Sequence, residues 1–196
     1  MQDIYLDQCP FGIEKLVAVA RDKAGVAFSE EGRERVEKTR ELISRWVREE
    51  RVIYGVTTGF GALCNKTISA EQTGRLQENI LMSHAAGVGD PLSEEVVRGI
   101  MALRVHDLSL GYSGCDIRTL EYMLRFLNQG VVPVVPEKGS VGASGDLAPM
   151  AHLGLVLIGR GEASYNGRGL SGEQVLQEIG LPPLEVGPGE QQALTN

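Results

Sequence analysis

The stretch Gly139-Ser140-Val141-Gly142-Ala143-Ser144-Gly145-Asp146-Leu147-Ala148-Pro149 decides how this chain is interpreted, because its centre can build an electrophile. In a tight turn, the backbone nitrogen of Gly145 can attack the carbonyl carbon of Ala143 and close a five-membered ring with loss of water. Elimination of the Ser144 hydroxyl then removes a second water and leaves an exocyclic methylidene group. No coded side chain provides such an electrophile, so the triad predicts a cofactor formed by the chain itself.

The residue types around the triad fit this chemistry. Gly145 gives its nitrogen an unhindered approach, and Gly142 and Gly139 allow backbone angles that residues with a Cβ avoid. Ala143 keeps its carbonyl accessible, and Asp146 can help move protons during the elimination. Because cyclisation consumes an amide, we expect the loop to be strained beforehand and held by its surroundings.

Three other interpretations of this loop were weighed against the residues. A phosphate-binding loop is disfavoured, since both the G-x-G-x-x-G pattern and a Gly-Lys-Ser/Thr ending are missing. A hydrolase nucleophile elbow needs glycine two residues after Ser144, where Asp146 stands. A helix-entry loop with Asp146 as N-cap stays open for the local structure, although it does not explain the small residues before the cap.

Further motifs, in order along the chain, resemble those of the aromatic amino acid ammonia-lyase and aminomutase family, and most closely the histidine ammonia-lyases. They are Tyr54-Gly55-Val56-Thr57-Thr58-Gly59-Phe60-Gly61, Ser83-His84-Ala85-Ala86-Gly87-Val88-Gly89, Gly111-Tyr112-Ser113-Gly114, the Ala143-Ser144-Gly145 triad and Ala193-Leu194-Thr195-Asn196. The resemblance implies that the triad becomes 4-methylidene-imidazol-5-one (MIO). It also implies a mainly α fold, the N-terminal portion of the histidine ammonia-lyase-like (L-aspartase/fumarase-like) helical fold with little β structure.

The resemblance also implies roles for single residues. Tyr54 resembles the base that removes the substrate β-proton, which requires an environment that favours the phenolate. His84 resembles the selector of the substrate side chain, and Gly61 a substrate-binding residue of the tyrosine loop. Asn196 resembles the asparagine that contacts the MIO carbonyl oxygen and the substrate. Gly142 and Asp146 are expected to support MIO formation.

Simpler interpretations of these residues stay open from the residues alone. A loop tyrosine such as Tyr54 commonly packs its ring on the core, and a helix-end histidine such as His84 is commonly satisfied by nearby carbonyls. Departures from the family pattern at Leu110, at Cys115-Asp116 and at Gln191-Gln192 leave the substrate open. The first hypothesis is conversion of L-histidine to urocanate and ammonia. The alternatives are a tyrosine or phenylalanine ammonia-lyase, an aminomutase, and a non-catalytic structural or regulatory subunit with an uncyclised triad.

The chain has 196 residues, whereas members of the resembled family are more than twice as long. We therefore expect residues 1–196 to be one N-terminal, MIO-bearing segment of a lyase, incomplete without the C-terminal helical bundle and inactive alone. The expected partners are an amino acid substrate, further copies in a homotetramer, and a second chain that carries the C-terminal half.

Composition indicates an acidic globular protein with a net charge of -7 and 42% hydrophobic residues. No nucleic-acid or membrane partner is expected, because the arginines and lysines between 33 and 51 alternate with glutamates and no apolar run approaches ~20 residues. Three distant cysteines, Cys9, Cys64 and Cys115, suggest free thiols in the cytoplasm. The three histidines lack metal-ligand spacing, so neither a metal nor a nucleotide cofactor is expected.

Hydrophobic spacing and capping residues predict mostly helix. The predicted helices cover about 12–22, a segment opened by Ser29, a segment from Ser69 to about Ser83, about 93–110, 116–127, a segment capped by Asp146, and 171–180. Residues 131–136 are predicted to be extended, and Asn166-Gly167 is predicted to turn a hairpin over 163–169.

Overall fold

The computed structural model of the chain describes residues 3–53, 56, 70–141, 147–187 and 189–195, with the backbone alone for 70–76 and 191–193. The described residues are mainly helical, as the sequence predicts. The helices are α1 (Ile13–Ala20), α2 (Glu30–Arg48), α3 (Ala70–His84), α4 (Glu94–Ser109), α5 (Ile117–Gln129), α6 (Leu147–Leu157), α7 (Gly172–Glu178) and α8 (Glu190–Thr195). The strands are β1 (Ile4–Tyr5), β2 (Val26–Ala27), β3 (Val88–Pro91), β4 (Val132–Pro133), β5 (Pro136–Lys138), β6 (Glu162–Tyr165) and β7 (Arg168–Ser171).

Side-chain caps explain where several helices begin. The Ser29 hydroxyl accepts a hydrogen bond from the Gly32 N–H at 3.1 Å at the start of α2, and Asp116 accepts one from the Arg118 N–H at 2.9 Å at the start of α5. Ser171 forms a reciprocal capping box at the start of α7. These starts confirm the sequence predictions, whereas the predicted caps Ser69 and Asp146 lie outside the described residues.

The strands form three small sheets around the helices. β6 and β7 make the predicted hairpin, and Asn166 and Gly167 both have positive φ, as a type I′ turn requires. β4 joins this hairpin through β6, β1 pairs with β2 in parallel, and β3 pairs with β5 antiparallel. The sequence did not predict these last pairings, because strands of two to four residues carry too little alternation to be recognised.

Apolar faces of α1, α4, α5 and α6 share one core with buried residues that include Met101, Phe126 and Leu153. Arg98 of α4 is buried in the same region and only 1% exposed. Its guanidinium donates to the carbonyl oxygens of Val19, at 2.9 and 3.2 Å, and Leu127, at 2.9 Å. These carbonyls lie at the C-terminal ends of α1 and α5, where helices lack internal donors, so one cation joins two helix ends to the core.

The alternating charges of helix α2 do not all face solvent. Many of its glutamates are exposed, but Arg33 reaches Glu121 of α5 at 2.7 Å. Arg35 likewise lies 3.5 Å from the buried carboxylate of Asp7. The charges of α2 therefore also connect it to neighbouring elements.

The described cysteines are both free: Cys9 is exposed and Cys115 is buried. None of the described helices combines the length and the apolar character that crossing a bilayer requires.

Candidate active site

His84, the predicted selector, is the last residue of α3 and is half-buried. Its Nδ1 atom lies 2.8 Å from the carbonyl oxygen of Ile80, one helical turn earlier. Because a carbonyl oxygen only accepts, Nδ1 carries a proton and donates it. In the neutral imidazole, Nε2 is then left as a hydrogen-bond acceptor.

A short antiparallel ladder places the segment after His84 beside the stem of the glycine-rich loop. Strand β3 follows this segment directly, and β5 ends just before Gly139. Their register pairs Val88 with Lys138 and Pro91 with Pro136, with an irregularity between the two pairs. Residues far apart in sequence, the selector segment and the N-terminal stem of the loop, are thereby neighbours.

The two ends of the loop also approach each other across Gly87. A Cβ added to Gly139 would lie 3.0 Å from the Cβ of Ala148 and 3.1 Å from the Cα of Gly87. Since Gly139 precedes the loop and Ala148 follows it, the two described ends of the loop lie close together. This closed stem fits a segment in which the chain must fold tightly on itself to cyclise.

His152 of α6 also contacts Gly87. Its Nε2 atom accepts a hydrogen bond from the Gly87 N–H at 3.0 Å. An acceptor nitrogen cannot carry a proton, so the imidazole is neutral with its proton on Nδ1. Burial lowers the pKa of His152 from its usual value, which favours the same neutral state.

Helices α3, α6 and α8 meet at Gly154. A Cβ at this position would lie 3.1 Å from a methyl group of Leu81 and 3.8 Å from one of Leu194, and both leucines are fully buried. The helix that carries His84, the helix that follows the loop and the helix that ends just before Asn196 are therefore packed together. Glycine at this position permits the close approach.

Buried Glu190 anchors the beginning of α8. Its carboxylate accepts hydrogen bonds from the Thr119 hydroxyl at 2.8 Å, from the Asp116 N–H at 3.2 Å and from the Gly187 N–H. Gly189 lies beside this anchor, and a Cβ added to it would be 3.3 Å from a methyl group of Val56. Val56, the described residue of the tyrosine motif, therefore lies beside the start of α8.

Most of the predicted site residues lie outside the described part of the chain. They are Tyr54, Gly61, Gly142, Ala143, Ser144, Gly145, Asp146 and Asn196. Among the described residues the structure brings their flanks together: Val56 beside α8, Gly139 and Ala148 at the two ends of the loop, and His84 at the end of α3.

Sequence reasoning singled out neither His152 nor the contact between Gly87 and Gly139. One signal was available for His152, which is the only histidine in the apolar helix that follows the loop. Its partner, however, is a backbone N–H 65 residues away, which no spacing within the sequence indicates.

Comparison with known proteins gives the affiliation of the chain. A family model described as aromatic amino acid lyase matches residues 11–196. The chain belongs to this family. The resemblance inferred from the motifs is thereby confirmed, and so is the expected fold class.

Individual relatives agree with the family match. The chain is 50% identical to a histidine ammonia-lyase of Caldanaerobacter subterraneus over 100% of its own length and 39% of that protein. The crystal structure of histidine ammonia-lyase from Trypanosoma cruzi superimposes with a TM-score of 0.90 at 34% identity, covering 100% of this chain and 38% of that chain. Tyrosine aminomutase from Streptomyces globisporus superimposes with a TM-score of 0.90 at 34% identity, covering 99% and 36%. The chain thus spans about two fifths of these relatives.

Proposed function

We propose that the chain is the N-terminal, MIO-bearing part of a carbon–nitrogen lyase that converts L-histidine to urocanate and ammonia. The single observation that carries this proposal is the convergence of the loop stem, the His84 segment and α8 in a member of the aromatic amino acid lyase family. The similarity to histidine ammonia-lyases, 50% in the Caldanaerobacter relative, favours histidine as substrate.

The MIO group, formed from Ala143, Ser144 and Gly145 with loss of two waters, supplies an electrophilic carbon for the substrate amine. Tyr54 is proposed as the base that takes the β-proton, and this role requires a lowered phenol pKa. Asn196 is proposed to donate from its amide to developing negative charge, in the manner of an oxyanion hole.

His84 is the proposed selector that the structure describes. With Nδ1 engaged by the Ile80 carbonyl, the Nε2 atom of the neutral imidazole is available to accept a hydrogen bond as far as the described residues go. The imidazole N–H of histidine and the phenol O–H of tyrosine can donate to it, whereas the phenyl ring of phenylalanine cannot. A site that leaves a polar group unpaired discriminates strongly against the analogue that lacks the partner, so phenylalanine should be the poorest of the three substrates.

Membership of the family also supports a proposal about the assembly and location of the protein. Residues 1–196 act as one segment that is inactive without a C-terminal helical bundle, in a cytoplasmic homotetramer or together with a second chain. Because the similarity to tyrosine aminomutase is also extensive, a tyrosine lyase or 2,3-aminomutase is the second candidate.

The experiment uses a chimaera in which this chain replaces the matched 39% of the Caldanaerobacter relative. Intact mass should be two water molecules below the unmodified value, and ammonia should be released fastest from histidine. Ser144→Ala should keep the full mass less one oxygen atom and abolish release while leaving the unfolding midpoint unchanged. An unmodified mass for the parent chimaera would favour the non-catalytic subunit, and a β-amino acid product would favour the aminomutase.

A further inference from the structure

The contact between His152 and Gly87 has a geometry that a general packing role does not require. The imidazole Nε2 faces the backbone N–H of Gly87 at 3.0 Å, and a Cβ on Gly87 would lie 3.1 Å from the same nitrogen. The ring therefore covers the glycine on one side. Pro136 covers it closely as well, at 3.2 Å from that Cβ position.

Gly87 thus lies between the strand that precedes the glycine-rich loop and the helix that follows it. Pro136 lies in β5, which leads into the loop, and His152 lies about one and a half turns into α6, which leaves it. Gly87 itself is three residues after His84. The backbone at Gly87 consequently links the selector segment to both ends of the loop.

We propose that His152 is a positioning residue, which through the Gly87 amide fixes the His84 segment relative to the two described ends of the loop that carries residues 143–145. This inference rests on the proposed function, since it concerns the same site. His152 does not touch the substrate in this proposal. It acts by holding the selector segment against α6.

Loss of the His152 acceptor is expected to affect substrate binding through the selector segment. Loss of the acceptor leaves the Gly87 N–H unpaired in a half-buried position, and such a group moves toward water or another acceptor. A shift of the selector by about 1 Å weakens its hydrogen bond to the substrate side chain, and cyclisation of the triad does not use that hydrogen bond. The effect therefore falls on KM and on substrate preference, and not on cofactor formation.

Three variants of the chimaera separate this role from simple stabilisation. His152→Gln keeps an acceptor at nearly the position of Nε2, and His152→Phe keeps a planar ring without an acceptor. His106→Phe is the matched control, because His106 also forms one hydrogen bond to a backbone group, the Leu6 carbonyl at 2.7 Å, in a different part of the chain.

We expect His152→Phe to raise KM for the preferred amino acid about tenfold and to reduce its preference over phenylalanine, with unchanged kcat and the same loss of two waters. His152→Gln should stay within about twofold of the parent KM. In amide hydrogen exchange, Gly87 should lose protection in His152→Phe and keep it in His152→Gln. His106→Phe should change none of these quantities.

Two results would overturn the inference alone. One is equal KM in the parent, His152→Gln and His152→Phe. The other is a parallel loss of kcat, of cofactor and of thermal stability in both His152 variants but not in His106→Phe, which would assign His152 to the fold only. If the parent chimaera neither loses two waters nor releases ammonia, the proposed function fails first and this inference fails with it.

Discussion

The buried carboxylate of Glu190 accepts a hydrogen bond from the Thr119 hydroxyl at 2.8 Å, and neither residue is exposed to solvent. This pair joins the beginning of α8 to the beginning of α5. The carboxylate also receives two backbone N–H groups, so its burial is compensated by three donors. Glu190 thereby ties the beginning of the last described helix to the core.

Glu190→Gln should destabilise the chain by about 1–3 kcal/mol, because the amide nitrogen of glutamine places a donor where backbone donors already point. Thr119→Val should cost about 1 kcal/mol, since it removes one of the three donors. The measurement is urea unfolding of each variant, with exposed Glu162→Gln as the control. A wild-type midpoint for Glu190→Gln would contradict the anchoring role.

Arg98→Met should lower the free energy of unfolding by about 1–3 kcal/mol, because the carbonyls of Val19 and Leu127 lose their guanidinium donors. Arg98→Lys should not restore stability, since an ammonium cannot reproduce the fork that reaches two helix ends. Exposed Arg125→Met is the control and should behave like wild type. Thermal unfolding checks all three, and a stable Arg98→Met protein would show that these bonds contribute nothing.

Stability should fall as the pH falls from about 6.5, the ordinary histidine value, toward the lowered pKa of His152. In that window the unfolded chain binds a proton on residue 152 that the folded chain excludes, so protons favour unfolding. Urea unfolding of wild type and His152→Gln between about pH 7.5 and 5.5 measures the effect. The variant should lose less stability than wild type over this pH range. Identical slopes of unfolding free energy against pH would show that His152 does not cause the pH dependence.

The described thiols should differ in reactivity. Burial raises the pKa of Cys115 to about 11, whereas Cys9 is exposed. Because the thiolate is the nucleophile, iodoacetamide near neutral pH should label Cys9 in the folded chain and leave Cys115 unlabelled. Peptide mass spectrometry locates the labels, and labelling in urea supplies the control in which both react. Equal native labelling would show that Cys115 is accessible.

Gly167→Ala should destabilise the β6–β7 hairpin by about 1 kcal/mol, because φ is +73° at this position and a Cβ disfavours it. Gly169→Ala is the matched control, since a Cβ there meets nothing within 4 Å and φ is not positive. Urea unfolding compares the two. Equal changes in unfolding free energy for the two variants would mean that the positive φ of Gly167 does not limit stability.

Much of the fold could be predicted because helix signals are local. Ser29, Asp116 and Ser171 mark helix starts through bonds to residues two or three positions later, and all three were identified from the sequence. The pairing of β3 with β5 could not be predicted, since a strand of three or four residues is specified mainly by the partner it meets.

The candidate site, too, was predictable only where its signals are local in the sequence. The triad and His84 could be proposed as site residues because each lies in a recognisable run of adjacent residues. The hydrogen bond between His152 and Gly87 could not be predicted, because its donor is a backbone amide and any residue type could supply one.

The sequence by itself determined the family to which this protein belongs, since the family motifs are runs of adjacent residues that can be recognised without the fold. Only the tertiary structure decided which distant segments lie beside the described ends of the glycine-rich loop. Gly87, Gly139 and Ala148 come together because three backbones pack closely where glycines leave space. Such contacts depend on the shape of the whole core, which no local pattern records.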